Sequence, residues 1–144
     1  MKIENEEELR RIYTETKTIA VVGVSGDPKK PGHEIPRYLQ RQGYRIVPVT
    51  PKGGEVLGET AYASLSQVDV PVDAVDVFRP SAEAEGVARD AVAIDVKVLW
   101  FQDGTHTDEA VKLARDAGLT VVFGRCMGTT HGMLGLGPGP WRGV

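Results

Sequence analysis

The chain has 144 residues, of which 41% are hydrophobic and 26% charged, and its formal net charge at pH 7 is −3. The length suits one domain that buries roughly two-thirds of the surface of its unfolded chain. An acidic balance disfavours a general nucleic-acid binder, which carries a basic surplus. No apolar run approaches the ~20 residues that cross a bilayer, and no apolar stretch of signal-peptide length opens the chain. We therefore expect a soluble cytoplasmic protein without a membrane partner.

A short helix over residues 4–15 is the first predicted element, because Asn5 can cap it and its apolar residues share one face. Thr18–Val24 is continuously apolar and β-branched, which is typical of a strand buried on both faces of a parallel sheet. A polar loop rich in glycine and proline follows over 25–32. The next helix runs to about Gln42 and is expected to hold its proline near the first turn.

The same alternation continues to the end of the chain. Ser81 and Thr107 are the expected caps of two further helices, and a short helical or irregular connection is expected around 64–68. The glycine-rich stretch from Gly124 to Val144 is expected to lie on the surface without regular structure. Further strands are predicted at 45–49, 73–78, 97–101 and 119–123.

Strands that alternate with helices imply an α/β fold with helices on both faces of a parallel sheet. We expect a single-domain three-layer sandwich whose five strands run in the order 3-2-1-4-5. Its core spans about 18–131, preceded by the helix at 4–15 and followed by a tail over 132–144. Ligands of such sheets bind at the carboxyl ends of the strands, beside the point where the strand order reverses.

The loop after the first strand is the first candidate binding segment. Gly23 and Gly26 let the backbone approach a ligand closely, Ser25 offers a hydroxyl, and the following helix presents unpaired N–H groups to an anion. This combination suits a pyrophosphate, and Val24 and Lys30 complete the predicted contacts of the loop. The alternative is an ordinary strand-to-helix turn, because such turns favour glycine and serine.

The loop after the second strand bears on the kind of nucleotide. An NAD site usually places a carboxylate near this point to hold the ribose hydroxyls, whereas this chain has Pro51 and Lys52. A lysine here would meet a phosphate on the ribose, as in coenzyme A or NADP. The alternative is that Lys52 is a solvated turn residue.

Two further loops are expected at the same edge of the sheet. Phe78 and Pro80 are flat apolar groups that can sandwich an adenine, and Arg79 between them adds a cation. Gln102 and Gly104, after the fourth strand, are candidates to line the path of a pyrophosphate or a pantetheine.

Five segments together resemble the small stand-alone CoA-binding proteins, which are bacterial and archaeal single-domain Rossmann-like proteins. In chain order they are Ile19–Ser25, Gly43–Pro51, Asp76–Pro80, Trp100–Gln102 and Arg125–Met127 with His131. The chain is also similar to the CoA-binding part of the succinyl-CoA synthetase α subunit. The resemblance covers about Thr18 to His131 and implies that the Lys52-Gly53-Gly54 loop contacts a CoA phosphate. The chain departs from the family at Thr50, where asparagine is usual, and at Thr130, where glutamate is common.

No catalytic or metal site is predicted. Cys126 and His131 would need a specific geometry to act as nucleophile and base, and a packed cysteine and a structural histidine are the alternatives we favour. His106 is expected to face solvent, while the role of His33 is left open between capping and phosphate contact. If Cys126 lies at the pantetheine end, a mixed disulfide with CoA is possible under oxidising conditions.

The sequence thus predicts a binding module for CoA or an acyl-CoA that acts as a carrier, sensor or regulatory module and catalyses no reaction. An NADP-dependent small reductase is the alternative, although 144 residues leave little room for a substrate domain. A third interpretation is an interaction protein whose pocket no longer binds a ligand. The sequence does not decide whether the chain forms a homodimer or binds an unknown protein partner, nor which acyl group it would carry.

Overall fold

A computed structural model describes residues 5–138, and its centre is a parallel sheet. In this part of the chain the sheet has five strands in the spatial order β2-β1-β5-β6-β7. Ile19 of β1 pairs in register with Ile46 on one side and with Ala74 on the other. The strands are β1 Thr18–Val22, β2 Arg45–Val49, β5 Ala74–Val77, β6 Val98–Phe101 and β7 Thr120–Val122, and the short β3 Glu55–Val56 and β4 Glu59–Thr60 form a separate antiparallel hairpin.

Within residues 5–138, five helices cover the two faces of this sheet; the alternating pattern predicts helices on both faces, although not the last of the five. The helices are α1 Glu6–Glu15, α2 Pro31–Arg41, α3 Ala84–Ala93, α4 Asp108–Asp116 and α5 Met127–Met133. Helices α3 and α4 pack on one face and α1, α2 and α5 on the other, which gives two apolar cores and three layers. Trp100 is fully buried in the second core. Among residues 5–138, no helix has the length and apolar character needed to span a bilayer.

The strand order differs from the predicted 3-2-1-4-5, because the third long strand, β5, pairs with β1 and not with β2. The segment around Tyr62 pairs with the outer edge of β2. The Tyr62 amide donates to the Pro48 carbonyl, and the Thr50 amide donates to the Tyr62 carbonyl. The β3–β4 hairpin and a 3₁₀ turn at Leu65–Gln67 fill this connection. The strand order therefore reverses between β1 and β5, and the loops after these two strands become neighbours.

Two of the predicted helix caps are confirmed and one is wrong. The Asn5 side chain accepts hydrogen bonds from two amides of α1, and Thr107 accepts one from the Ala110 amide of α4. Ser81 instead begins a 3₁₀ turn, Ser81–Glu83, that precedes α3, and no side chain caps that helix.

The prediction of irregular structure after Gly124 is wrong for α5. Glycine lowers helix propensity, yet Gly128 and Gly132 lie where α5 packs on α2. A Cβ on Gly128 would lie 3.0 Å from Ile35 Cγ2 and one on Gly132 would lie 3.5 Å from the Tyr38 hydroxyl, so small residues permit this contact. Tertiary packing thus outweighs propensity here. The end of the predicted tail, residues 139–144, lies outside the described residues.

Pro36, which was predicted in or near the first turn of α2, lies at the sixth residue of this helix, in its second turn. A proline there leaves the carbonyl four residues earlier, that of Gly32, without its usual helical donor. This carbonyl accepts the Ser25 amide at 3.0 Å instead. The proline is therefore accommodated because the preceding loop supplies the missing hydrogen bond.

Candidate functional site

A cleft of about 590 Å³ opens at the carboxyl edge of the sheet, where the loops after β1, β2 and β5 meet the start of α2. The reversal of strand order between β1 and β5 creates this place. Eight of the twelve predicted contact residues line the cleft: Gly23, Val24, Ser25, Gly26, Lys30, Lys52, Phe78 and Arg79. The structure thus brings three separate predicted loops to one site.

The β1–α2 loop (residues 23–30) is fixed by its own polar groups. The Ser25 hydroxyl accepts from the Asp27 amide at 3.0 Å, and the Asp27 carboxylate accepts from the Lys29 amide at 3.0 Å. The Ser25 carbonyl oxygen lies 2.8 Å from Nδ1 of His33, the histidine whose role the sequence left open. Because a hydroxyl that accepts an N–H keeps its own hydrogen, Ser25 can still donate to a phosphate oxygen.

Close packing requires glycine at two positions near this loop. Gly23 has φ +89°, and a Cβ there would lie 2.7 Å from Arg79 Cδ. A Cβ on Gly32, at the start of α2, would lie 3.1 Å from the Gly23 carbonyl oxygen. Gly26 differs, because a Cβ there would meet no atom within 4 Å. Gly23 and Gly32 are therefore set by packing, whereas Gly26 leaves its backbone open to an approaching ligand.

The charged side chains around the cleft are mainly cationic, although the whole chain is acidic. Lys30, Lys52 and Arg79 line it together with a single carboxylate, Glu55. Glu55 lies in the β3–β4 hairpin, which the sequence reading did not predict. Arg79 lines the cleft and also forms an ion pair with Glu83, whose carboxylate accepts from Nε of Arg79 at 3.1 Å and from Nη2 at 2.6 Å. This hydrogen-bonded pair raises the pKa of Arg79 and lowers that of Glu83.

A smaller cleft of about 370 Å³ lies beside the first and shares Gly23 and Arg79 with it. Pro51, a predicted contact residue, lines this second cleft together with Leu65 and Val87. Local sequence patterns do not indicate this cleft, because Leu65 belongs to the connection after β2 and Val87 to α3. The site therefore combines a cationic part and a largely apolar part that meet at Arg79.

Three predicted contact residues line neither cleft. Pro80 and Gly104 are exposed loop residues. Gln102 is buried, donates from Nε2 to an Asp76 carboxyl oxygen at 3.1 Å, and accepts the Met127 amide at 3.2 Å. Burial raises the pKa of Asp76 to about 8, and the hydrogen bond from Gln102 opposes this shift. Gln102 therefore fastens α5 to the sheet and does not face the cleft.

The other candidate residues also lie outside the clefts. Cys126 is partly buried and caps α5. His131 is fully buried with Nδ1 2.8 Å from the Tyr38 hydroxyl oxygen, and burial lowers its pKa. His106 is half-buried against the Phe123 ring at 4.3 Å between centroids, so its expected exposure is wrong. Within residues 5–138, no three His, Cys, Asp or Glu side chains form a group able to hold a metal ion.

Comparison with known proteins identifies related chains over most of this length. The family model described as CoA binding domain matches residues 17–132. The uncharacterized protein YneT of Bacillus subtilis is 38% identical over 124 residues, which cover 86% of this chain and 92% of that protein. A solved structure from Thermus thermophilus is 42% identical with a TM-score of 0.87, and the match covers 90% of this chain and 98% of that one.

A larger relative contains a similar segment. The α subunit of the ADP-forming acetate–CoA ligase II of Pyrococcus furiosus is 29% identical over 129 residues, covering 81% of this chain but only 28% of that subunit. The chain is thus similar to whole small proteins and to one part of a ligase subunit.

Proposed function

The chain belongs to the CoA-binding domain family, and from this premise we propose that it binds coenzyme A or an acyl-CoA at the carboxyl edge of its sheet. The observation that carries the proposal is the cationic cleft, where Lys30, Lys52 and Arg79 meet the β1–α2 loop in an otherwise acidic chain. We assign the chain no reaction of its own. Its role is that of a carrier, sensor or regulatory module.

In the proposed complex, the pyrophosphate lies against the β1–α2 loop and the start of α2. Three features favour this position: the Ser25 hydroxyl keeps a hydrogen to donate, Gly26 leaves its backbone accessible, and the first N–H groups of α2 attract an anion. Lys30, which precedes the first residue of α2, adds a positive charge beside the same groups.

Lys52 is assigned to the 3′-phosphate of the ribose. It lines the cleft from the loop after β2, and its side chain is exposed. An exposed lysine keeps its hydration and its rotamer freedom until a phosphate arrives, and the charge-assisted contact then forms only with ligands that carry that phosphate. This is the contact by which the site would tell CoA from dephospho-CoA.

The adenine is assigned to the smaller cleft, between Pro51 and Val87, and not beside Pro80. The flat face of the base can pack on the apolar part of this crevice, which Glu83 and Asp90 also line, whereas Pro80 is exposed and lines neither cleft. Arg79 forms the boundary between the two clefts, so its guanidinium lies where it can stack on a base or turn to a phosphate.

Isothermal titration with CoA and with dephospho-CoA tests the proposal. The wild-type protein should bind CoA more tightly, and Lys52→Ala should lower CoA affinity roughly tenfold, to the level of dephospho-CoA. Lys29→Ala is the matched control, because it removes the same charge from the β1–α2 loop at a residue outside the cleft. Equal affinity of the wild type for both ligands would contradict the assignment of Lys52 to the 3′-phosphate.

Thermal shift measurements with a panel of nucleotides test the function more broadly. Stabilisation by CoA but not by NADPH is the expected result. The reverse result would favour the reductase, and no shift with any nucleotide would favour an interaction protein.

A further inference from the structure

Both polar groups of the Ser25 backbone are held by helix α2. The Ser25 amide donates to the Gly32 carbonyl at 3.0 Å, and the Ser25 carbonyl oxygen lies 2.8 Å from His33 Nδ1. Since a carbonyl oxygen only accepts, Nδ1 of His33 carries the hydrogen in this contact. The amide and the carbonyl of Ser25 thus both connect the loop to the first turn of α2.

Pro36 explains why the Gly32 carbonyl is available for this contact. In an uninterrupted α-helix, the amide four residues later would take that carbonyl, but proline has no N–H. The absence of a side chain at Gly32 lets the loop come near, because a Cβ there would lie 3.1 Å from the Gly23 carbonyl oxygen, whereas its contacts with Ser25 at 3.6 Å would be ordinary ones. Gly32, His33 and Pro36 therefore act together on Ser25.

The direction of the Ser25 carbonyl decides the direction of the next amide. In a trans peptide the C=O and N–H groups point to opposite sides, so a carbonyl turned towards His33 turns the Gly26 N–H away from α2's first turn. Gly26 lines the large cleft, and its amide has no hydrogen-bond partner among residues 5–138. An unpaired amide beside a cationic cleft is a donor for an anionic oxygen.

We infer that His33 is a positioning residue, which holds the Ser25–Gly26 peptide so that the Gly26 amide donates to the ligand's pyrophosphate. This inference rests on the proposed function, since it concerns the same cleft. His33 does not line the cleft and touches no ligand in this arrangement. Its effect reaches the ligand only through the orientation of one peptide group.

Hydrogen–deuterium exchange without ligand tests the first half of the inference. His33→Ala should speed exchange of the amides in residues 23–30 relative to wild type. His33→Asn should restore protection, because its side-chain amide can place an N–H donor near the position of Nδ1. His106→Ala is the matched control, since that ring packs on Phe123 away from the loop. Unchanged exchange in His33→Ala would show that the histidine does not hold the loop.

Titration of the same variants tests the second half. His33→Ala should weaken CoA and dephospho-CoA equally, by about three- to tenfold, because both carry the pyrophosphate. His33→Asn should lie within about twofold of wild type. A loss confined to CoA, or no rescue by asparagine, would overturn the positioning role. If wild-type protein binds neither ligand, the proposed function fails together with this second half, while the exchange result still decides whether His33 orders the loop.

Discussion

Gly23 and Gly26 lie three residues apart in the β1–α2 loop, yet they meet different physical demands. Gly23 has φ +89° and the Arg79 side chain against it, so a side chain there is opposed by both backbone conformation and space. Gly26 has open space where a Cβ would be and no positive φ. The glycine pattern of this loop therefore serves folding at one position and ligand approach at the other.

We expect Gly23→Ala to destabilise the fold by about 1–3 kcal/mol, since alanine would adopt a strained backbone and displace Arg79. Gly26→Ala should leave the free energy of unfolding within about 0.5 kcal/mol of wild type but lower CoA affinity, because its methyl group enters the cleft. Urea denaturation and isothermal titration of the pair would measure both effects. Similar losses of stability in the two variants would contradict this division of roles.

At the scale of the secondary-structure elements, the helix α3 forms one wall of the smaller cleft through Gly86 and Val87. A Cβ on Gly86 would meet no atom within 4 Å, and this glycine has no positive φ. A side chain at this position would therefore point into space that the adenine is proposed to occupy. Gly86 also weakens α3, because glycine is less favourable than alanine inside a helix.

Substitutions of Gly86 can therefore separate stability from binding. Gly86→Ala should raise the free energy of unfolding by up to about 1 kcal/mol with little change in CoA affinity. Gly86→Phe should keep the fold and block the smaller cleft, lowering affinity for CoA while affinity for a ligand without adenine, such as pantetheine phosphate, is unchanged. Thermal denaturation and titration would measure these changes. Undiminished CoA affinity in Gly86→Phe would show that the base lies elsewhere.

The sequence predicted the strands and most helices because each carries a local signal. The strand order depends on a different signal, the proline within β2. Pro48 cannot donate to a sheet ladder, and within sheets proline is found mainly on edge strands. The predicted order 3-2-1-4-5 made β2 an interior strand, whereas β2 pairs with one long strand only, β1. Helix α5 had no such signal, since Gly128 and Gly132 disfavour a helix unless a neighbouring helix packs on them.

For the candidate site, the sequence predicted which loops take part, but not which of their residues face a cleft and which are used inside the protein. Residues directly after β1 and β5 were predicted correctly to lie at one edge, because the carboxyl ends of parallel strands share that edge. Gln102 also follows a strand, but its amide is used inside the protein by Asp76 and Met127. Contributions from α3 and from the β3–β4 hairpin depend on tertiary structure, which local patterns do not encode.

At the scale of the whole molecule, the layer formed by α1, α2 and α5 rests on a polar group in the middle of the sheet. Asp76 lies between Val21 and Trp100 in the sheet register and is fully buried. One carboxyl oxygen accepts from Gln102, which also holds the Met127 amide of α5, and the other has no hydrogen-bond partner among residues 5–138. The attachment of α5 to the sheet therefore depends in part on a buried carboxyl group.

The charge of Asp76 should make global stability depend on pH. Burial raises the pKa of Asp76 to about 8 from an ordinary value of 3.8, so the folded protein keeps a proton that the unfolded chain releases. The stability contributed by this group is therefore complete below about pH 4 and is lost progressively as pH rises through about 8.

Asp76→Asn has nearly the shape of the protonated acid and cannot ionise. It should match wild type near pH 4 and be more stable than wild type at pH 9 by several kcal/mol, since each unit of pKa shift is worth about 1.4 kcal/mol. Urea denaturation at pH 4, 7 and 9 would measure this difference, with the exposed Asp103→Asn as the matched control. Parallel pH profiles for wild type and Asp76→Asn would show that this carboxyl is already ionised in the folded protein at neutral pH, and that the buried contact with Gln102 is stronger than its geometry indicates.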